Sequence, residues 1–165
     1  MRIHASQLIV VAMSLGTLVF PTRSCAQHEP TVRNALPRQS DWFLSTGDWQ
    51  KDSQLYVREF GEGDETVVVL HGGWGAEHSG LVDAVRDLED EYHFVLYDQR
   101  GSLRSPAPDA SITYDRFIED LELLRAELGL ERLNILAHSM GAVLASAYAA
   151  KYPDRIQRLV LVARR

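Results

Sequence analysis

One cysteine, Cys25, occurs in the 165 residues, and it stands inside a segment that reads as removable. The rest of the chain therefore has no disulfide framework, no cysteine metal site and no thiol nucleophile open to it. Basic residues are also short, with 17 Lys and Arg against 23 Asp and Glu, a formal charge of −6 and no basic run. A nucleic-acid binder neutralises phosphates with clustered Lys and Arg, so DNA and RNA are not expected partners. The apolar run from Leu8 to Phe20 would reach only about 20 Å as a helix, short of the ~30 Å hydrocarbon core of a bilayer. The most consequential shortage lies at the other end: no histidine stands after His138, and the only carboxylate there is Asp154.

What remains is the composition of a folded domain. At 45% hydrophobic and 24% charged residues the chain has enough apolar side chains to bury a core, and it shows neither repeats nor low-complexity stretches. Arg2, the run from Leu8, Pro21 and the small residues Ser24 and Ala26 outline a secretory signal peptide with cleavage before Gln27. A lipid anchor on Cys25 is disfavoured, because Thr22 and Arg23 stand where small or aliphatic residues are wanted. The expected organisation is a signal peptide over 1–26, a polar linker with Pro30 and Pro37 over 27–41, and a domain over 42–165. The product would be exported, periplasmic or secreted, with no stable membrane span after cleavage. Cleavage removes Arg2 and Arg23 and no acid, which makes the remainder more negative still.

Two short β-rich runs, WFLST and QLYVREFG, predict an antiparallel pair at a sheet edge with Arg58 and Glu59 on an exposed face. Four apolar runs follow, TVVVLHGG, HFVLYDQRG, RLNILAHS and IQRLVLVA. Strands apolar on both faces belong in a covered parallel sheet. Between them, Leu81, Val85 and Leu88, then Phe117, Leu121, Leu124 and Leu128, then Val143, Leu144, Ala147 and Tyr148 mark helical faces. Thr113 is the expected N-cap and Gly129 the stop of the middle helix. Alternating strands and helices predict an α/β fold, a mostly parallel sheet with helices on both faces.

In open sheets of this kind ligands bind beyond the carboxyl ends of the strands. Ser139 stands there, at a strand-to-helix junction in the pattern Ala137-x-Ser139-x-Gly141. So tight a turn brings backbone against backbone, which requires the small side chains of Ala137 and Gly141. It also presents the Ser139 hydroxyl at a helix start, where peptide N–H groups stabilise an oxyanion. His138 points away from its neighbour and is read as a spacer, not a base. His71, Gly72 and Gly73 of HGGWG end the preceding strand, and the N–H groups of Gly73 and Met140 are the expected oxyanion donors. Asp98 and Arg100 of DQRGS are read as scaffold that fixes its own turn by local hydrogen bonds. No metal or organic cofactor is implied.

HGGWG, DQRGS and AHSMG, in that order and each at a strand end, resemble the α/β-hydrolase superfamily, and the first two are most similar to its proline iminopeptidase-like group. The resemblance runs from about Trp42 to the last residue. It implies acyl-enzyme chemistry on a peptide, amide or ester, and recognition of a small-molecule or short-peptide substrate by a helical cap inserted after the strand that ends at Ala163. Three positions depart from the group: Trp74 replaces the proline of HGGPG, Leu103 the last glycine of DQRGSG, and Met140 a common tryptophan.

Such a serine needs a histidine base oriented by a carboxylate, in the order Ser, Asp or Glu, His. After Ser139 only Asp154 is present, in a helix-exit turn. His71, His78 and His93 precede the serine and stand in the wrong places for a base. The expectation is therefore an N-terminal portion of a serine hydrolase, broken off after about the sixth strand and inactive by itself. A same-fold esterase or lactonase and a noncatalytic binding domain are the alternatives. Oligomeric state is left open.

Overall fold

The structure is a computed structural model that describes residues 39–47 and 54–163. The expected signal peptide and nearly all of the linker lie outside the described residues. β1 (Ser40–Ser45) and β2 (Gln54–Phe60) pair antiparallel, with Trp42 opposite Val57 and Leu44 opposite Leu55. β2 then pairs antiparallel with β4 (Tyr92–Tyr97). From there the sheet is parallel: β4 beside β3 (Glu65–Leu70), β3 beside β5 (Leu133–His138), and β5 beside β6 (Ile156–Val162).

The strand order is β1-β2-β4-β3-β5-β6, so the chain leaves β3 towards one edge and then crosses to the other for β5. That reversal opens a crevice at the carboxyl ends of β3 and β5.

Alternation along the strands divides the interior. Val68, Leu70, Val95, Tyr97, Leu133, Ile135 and Ala137 face one side, where α2 (Tyr114–Glu127) and α3 (Met140–Lys151) cover them with Phe117, Leu121, Leu124, Leu144 and Tyr148. Val69, Phe94 and Leu96 face the other, against Val82 and Val85 of α1 (Ser79–Val85). The parallel α/β architecture read from the sequence is the one observed.

α2 begins and ends as its sequence requires. The Thr113 hydroxyl accepts the Arg116 N–H at 3.4 Å, and Asp115 complements the dipole in the first turn. Gly129, at φ 67°, closes a paired C-cap in which its N–H reaches the Ala126 carbonyl and the Leu130 N–H the Arg125 carbonyl.

Elsewhere single positions differ from expectation. Val143 is exposed while Leu144 and Ala145 are buried, because adjacent helical residues lie about 100° apart and only one side of α3 meets the sheet. Leu88 is exposed, since α1 ends at Val85 and passes into a 3-10 turn. Glu59 is buried, not on a wet face: it accepts the Trp42 Nε1–H at 2.8 Å and lies 2.9 Å from His93 Nε2. β6 is largely uncovered, with Val160, Leu161 and Val162 about half exposed. Among the described residues no helix is long and apolar enough to cross a membrane.

Candidate active site

The junction between β5 and α3 carries the one non-glycine residue with positive φ among those described, Ser139, at φ 54° and ψ −118°. That conformation costs a non-glycine residue on the order of 1–3 kcal/mol, and persists only where its surroundings fix it. Three contacts do so. The Ser139 N–H donates to the Val162 carbonyl of β6 at 2.8 Å. Gly141 lies under the end of β3, where a β-carbon would stand 2.6 Å from the Leu70 oxygen and 2.7 Å from the His71 oxygen. Gly72 presses on the serine itself, leaving 2.7 Å between a β-carbon placed there and Ser139 Cβ. Ala137 is fully buried two residues before. The glycine of the pattern is thus enforced by the backbone at the end of β3.

The Ser139 side chain is exposed, and no described residue hydrogen-bonds its hydroxyl. Met140 opens α3, so its N–H has no intrahelical acceptor. Gly73, at φ 77°, sits one residue beyond the Gly72 contact. Both N–H groups lack a carbonyl acceptor among the described residues, and they belong to the residues that directly follow the Gly72–Ser139 contact.

His71 supports the glycine turn from within. Its Nε2 accepts the Gln99 N–H at 3.0 Å, which puts the ring proton on Nδ1, 3.2 Å from the Gly72 carbonyl. The Gln99 side chain donates back to the His71 carbonyl at 2.8 Å. Burial depresses the affinity of this imidazole for a second proton, so it stays neutral.

Asp98 and Arg100 are scaffold, but not chiefly by bonds within their own turn. Asp98 does take the Arg104 N–H at 3.3 Å, yet its closest partners are on the loop before α1: His78 Nδ1 at 2.6 Å and the His78 N–H at 3.1 Å. Burial alone would raise this carboxyl; the His78 bonds outweigh it and leave it below the usual carboxylate range. Arg100 reaches α2, with Nε and Nη2 on the two Asp120 oxygens at 2.9 and 2.6 Å. A residue at a sharp strand end has few partners nearby, so both side chains reach across to neighbouring segments.

The remaining histidines are placed as spacers or anchors. His138 ends β5, half-buried beside Gly72. His93 begins β4 against Glu59 and Thr66, at the opposite end of the sheet from Ser139. Glu77, His78 and Asp98 bring donor atoms within 4.8 Å of one another. Those atoms are already engaged, Glu77 with the Ser79 N–H at 2.9 Å and Arg104 at 3.3 Å and His78 with Asp98.

Two features escaped sequence reading. The His78–Asp98 pair spans 20 residues and has no local pattern to betray it. Trp74 was visible only as a missing proline, whereas in the fold its ring stacks on Phe117, with centroids 4.9 Å apart, and meets the Tyr114 edge at 5.6 Å.

Residues 65–164 match the alpha/beta hydrolase fold family. The chain is 40% identical over 114 residues to a proline iminopeptidase of Xylella fastidiosa (strain 9a5c), covering 66% of this chain and 35% of that protein. It is also 40% identical over 128 residues to a 2-hydroxy-6-oxononadienedioate/2-hydroxy-6-oxononatrienedioate hydrolase of Pseudomonas putida, covering 74% of this chain and 44% of the other. The solved structure of a marine microorganism esterase superposes with a TM-score of 0.60 at 34% identity, over 65% of this chain and 40% of that one. The chain thus spans 35 to 44% of the length of these three proteins.

Proposed function

The chain belongs to the alpha/beta hydrolase fold family, and on that premise we propose that Ser139 is the nucleophile of an exported serine hydrolase acting on a peptide, amide or ester, with proline iminopeptidase-like aminopeptidase activity favoured. The observation that carries the reading is the backbone of Ser139. A strained, non-glycine turn, wedged between Gly72 and Gly141 with its hydroxyl exposed, is costly to maintain and useful for attack.

Ser139 Oγ attacks the substrate carbonyl while a histidine takes its proton; the oxyanion receives the Gly73 and Met140 N–H groups; the leaving group departs protonated, and water then frees the acyl group. Residues 139–165 contain no histidine. The chain spans 35 to 44% of the length of the proteins compared above, and the proposal leaves the base and its orienting acid to a part of the complete enzyme outside residues 139–165.

The test is made on the product of the full open reading frame. A fluorophosphonate should label it at Ser139, and Ser139→Ala should abolish labelling and hydrolysis while the protein stays folded. Full turnover in that variant removes Ser139 from the mechanism. A panel of prolyl amides against simple esters separates the favoured activity from its nearest rival. Esterase action is that rival, supported by the likeness to the marine esterase and by Trp74 standing where the iminopeptidase-like group has proline. Export is tested by the mature N-terminus: Gln27 first supports it, and an intact Met1 on a soluble cytoplasmic protein removes it.

A further inference from the structure

The ladder between β3 and β4 runs from Glu65 opposite Tyr92 to Val69 opposite Leu96. Beyond it the two strand ends are joined by side chains. The Gln99 amide donates to the His71 carbonyl at 2.8 Å, and the His71 ring takes the Gln99 N–H on Nε2 at 3.0 Å. Both residues are almost completely buried. A pair of apolar side chains would close this place without desolvating an imidazole and an amide. What the hydrogen bonds add to packing is direction.

That direction is passed on to the serine turn. With Nε2 accepting, the ring proton sits on Nδ1 and is donated to the Gly72 oxygen at 3.2 Å. The Gly72 carbonyl and the Gly73 N–H are the two ends of one planar trans peptide and point in opposite directions. Holding the oxygen on the buried imidazole therefore turns the N–H away from it. Glycine flanks this peptide on both sides, with Gly73 at φ 77°. Since glycine accepts either sign of φ, the local chain by itself leaves the peptide free to turn over and present its oxygen instead. The same unit touches the nucleophile turn: a β-carbon on Gly72 would stand 2.7 Å from Ser139 Cβ, and one on Gly141 would stand 2.7 Å from the His71 oxygen that Gln99 holds.

We propose that Gln99 is a positioning residue for the hydrolysis: acting through His71, it fixes the peptide unit between Gly72 and Gly73 and with it the aim of the Gly73 N–H at the oxyanion. This rests on the reading of Ser139 and Gly73 given above and adds the residues that hold its donor in place.

Wild type, Gln99→Met, His71→Leu and His71→Asn are compared as products of the full open reading frame, with folding checked by circular dichroism. The substrates are p-nitrophenyl butanoate and proline p-nitroanilide, and kinetics are taken on whichever the wild type turns over faster. A donor aimed at developing charge acts in the transition state, so the loss should fall on kcat and leave KM unchanged. Loss of one oxyanion donor costs about a hundredfold or more, and His71→Leu should approach that figure. Gln99→Met gives up one hydrogen bond and keeps the ring, for an expected loss of about tenfold. His71→Asn sets an amide nitrogen near the place of Nδ1 and should recover most of what His71→Leu loses. Inhibition by a trifluoromethyl ketone, whose adduct on the serine carries the oxyanion, should weaken in step with kcat; a merely structural role would move the melting temperature and not this inhibition. Imidazole nitrogen NMR on the wild type should find the His71 proton on Nδ1. A proton on Nε2 overturns the proposal, as does an unchanged kcat in folded Gln99→Met or a loss confined to KM. Should His71→Leu fail to fold, Gln99→Met and the tautomer decide. A wild type that neither hydrolyses these substrates nor labels at Ser139 removes the hydrolase reading and the positioning role with it, whereas an active wild type with unmoved variants removes the positioning role alone.

Discussion

The Arg100 guanidinium meets the Asp120 carboxylate at two points, 2.9 and 2.6 Å, with both groups almost completely buried. The pair ties the turn after β4 to the middle of α2. Burial raises the Asp120 carboxyl against the pull of Arg100. Breaking such a pair from one side leaves a buried charge without compensation, at a cost of about 3–5 kcal/mol. Arg100→Ala should lower the urea midpoint accordingly, and Arg100→Met with Asp120→Leu should recover much of the loss. A single variant as stable as wild type would show that water reaches this pair.

Gly141→Ala places a methyl group 2.6 Å from the Leu70 oxygen, which is backbone and has nowhere to go. The expected cost is roughly 1–3 kcal/mol, together with loss of fluorophosphonate labelling as the serine turn shifts. Gly80→Ala is the control, because nothing lies within 4 Å of its added carbon and it sits in α1. It should be neutral or gain up to about 1 kcal/mol. Equal effects at the two positions would mean that contact with β3 does not fix the turn.

Acid should destabilise the fold in two stages. The folded His71 binds a proton less readily than the unfolded one, so its contribution is complete above the unfolded value near 6.5 and is lost as pH falls below it. Asp98, also depressed, adds a second loss below the ordinary carboxylate value of 3.8. Asp120 is shifted the other way, so it adds stability as pH falls towards 3.8 and opposes the losses that occur above that value. The melting temperature should therefore decline between pH 7 and pH 5, and His71→Gln should flatten that decline. A flat profile in wild type would mean that His71 is not held neutral.

The 165-residue chain expressed alone should associate. Among the described residues β6 pairs only with β5, and Val160, Leu161 and Val162 leave both its faces half exposed. An unpaired, apolar strand edge is a template for another chain. Val160→Lys should reduce the association seen by light scattering. The same chain, having no histidine after Ser139, should not label with a fluorophosphonate at a normal rate. A monodisperse wild-type monomer that labels would show that an upstream histidine acts as base.

The sheet and the serine turn were legible because they depend on periodicity and on backbone sterics, both of which are local. The continuous apolar runs of β3, β4 and β5 require two covered faces, and Thr113 and Gly129 mark the ends of α2 in one dimension as clearly as in three. Val143 and Leu144 could not be told apart, since both neighbours are apolar and only the direction of the sheet decides between them. Glu59, His78 and Trp74 were misread or passed over for one reason: each takes its meaning from a partner 17 to 43 residues away, Trp42, Asp98 and Phe117. Hydrogen bonds and ring stacks across a fold leave no period in the sequence.

The N–H of Ser139 is held by the carbonyl of Val162, 23 residues later in the chain. β5 and most of α3 emerge from the ribosome before the strand that secures their junction, so the serine turn is free to relax until β6 has followed and docked. The strained turn is thus a late product of translation, and a nascent chain halted within α3 carries the serine without the conformation that distinguishes it.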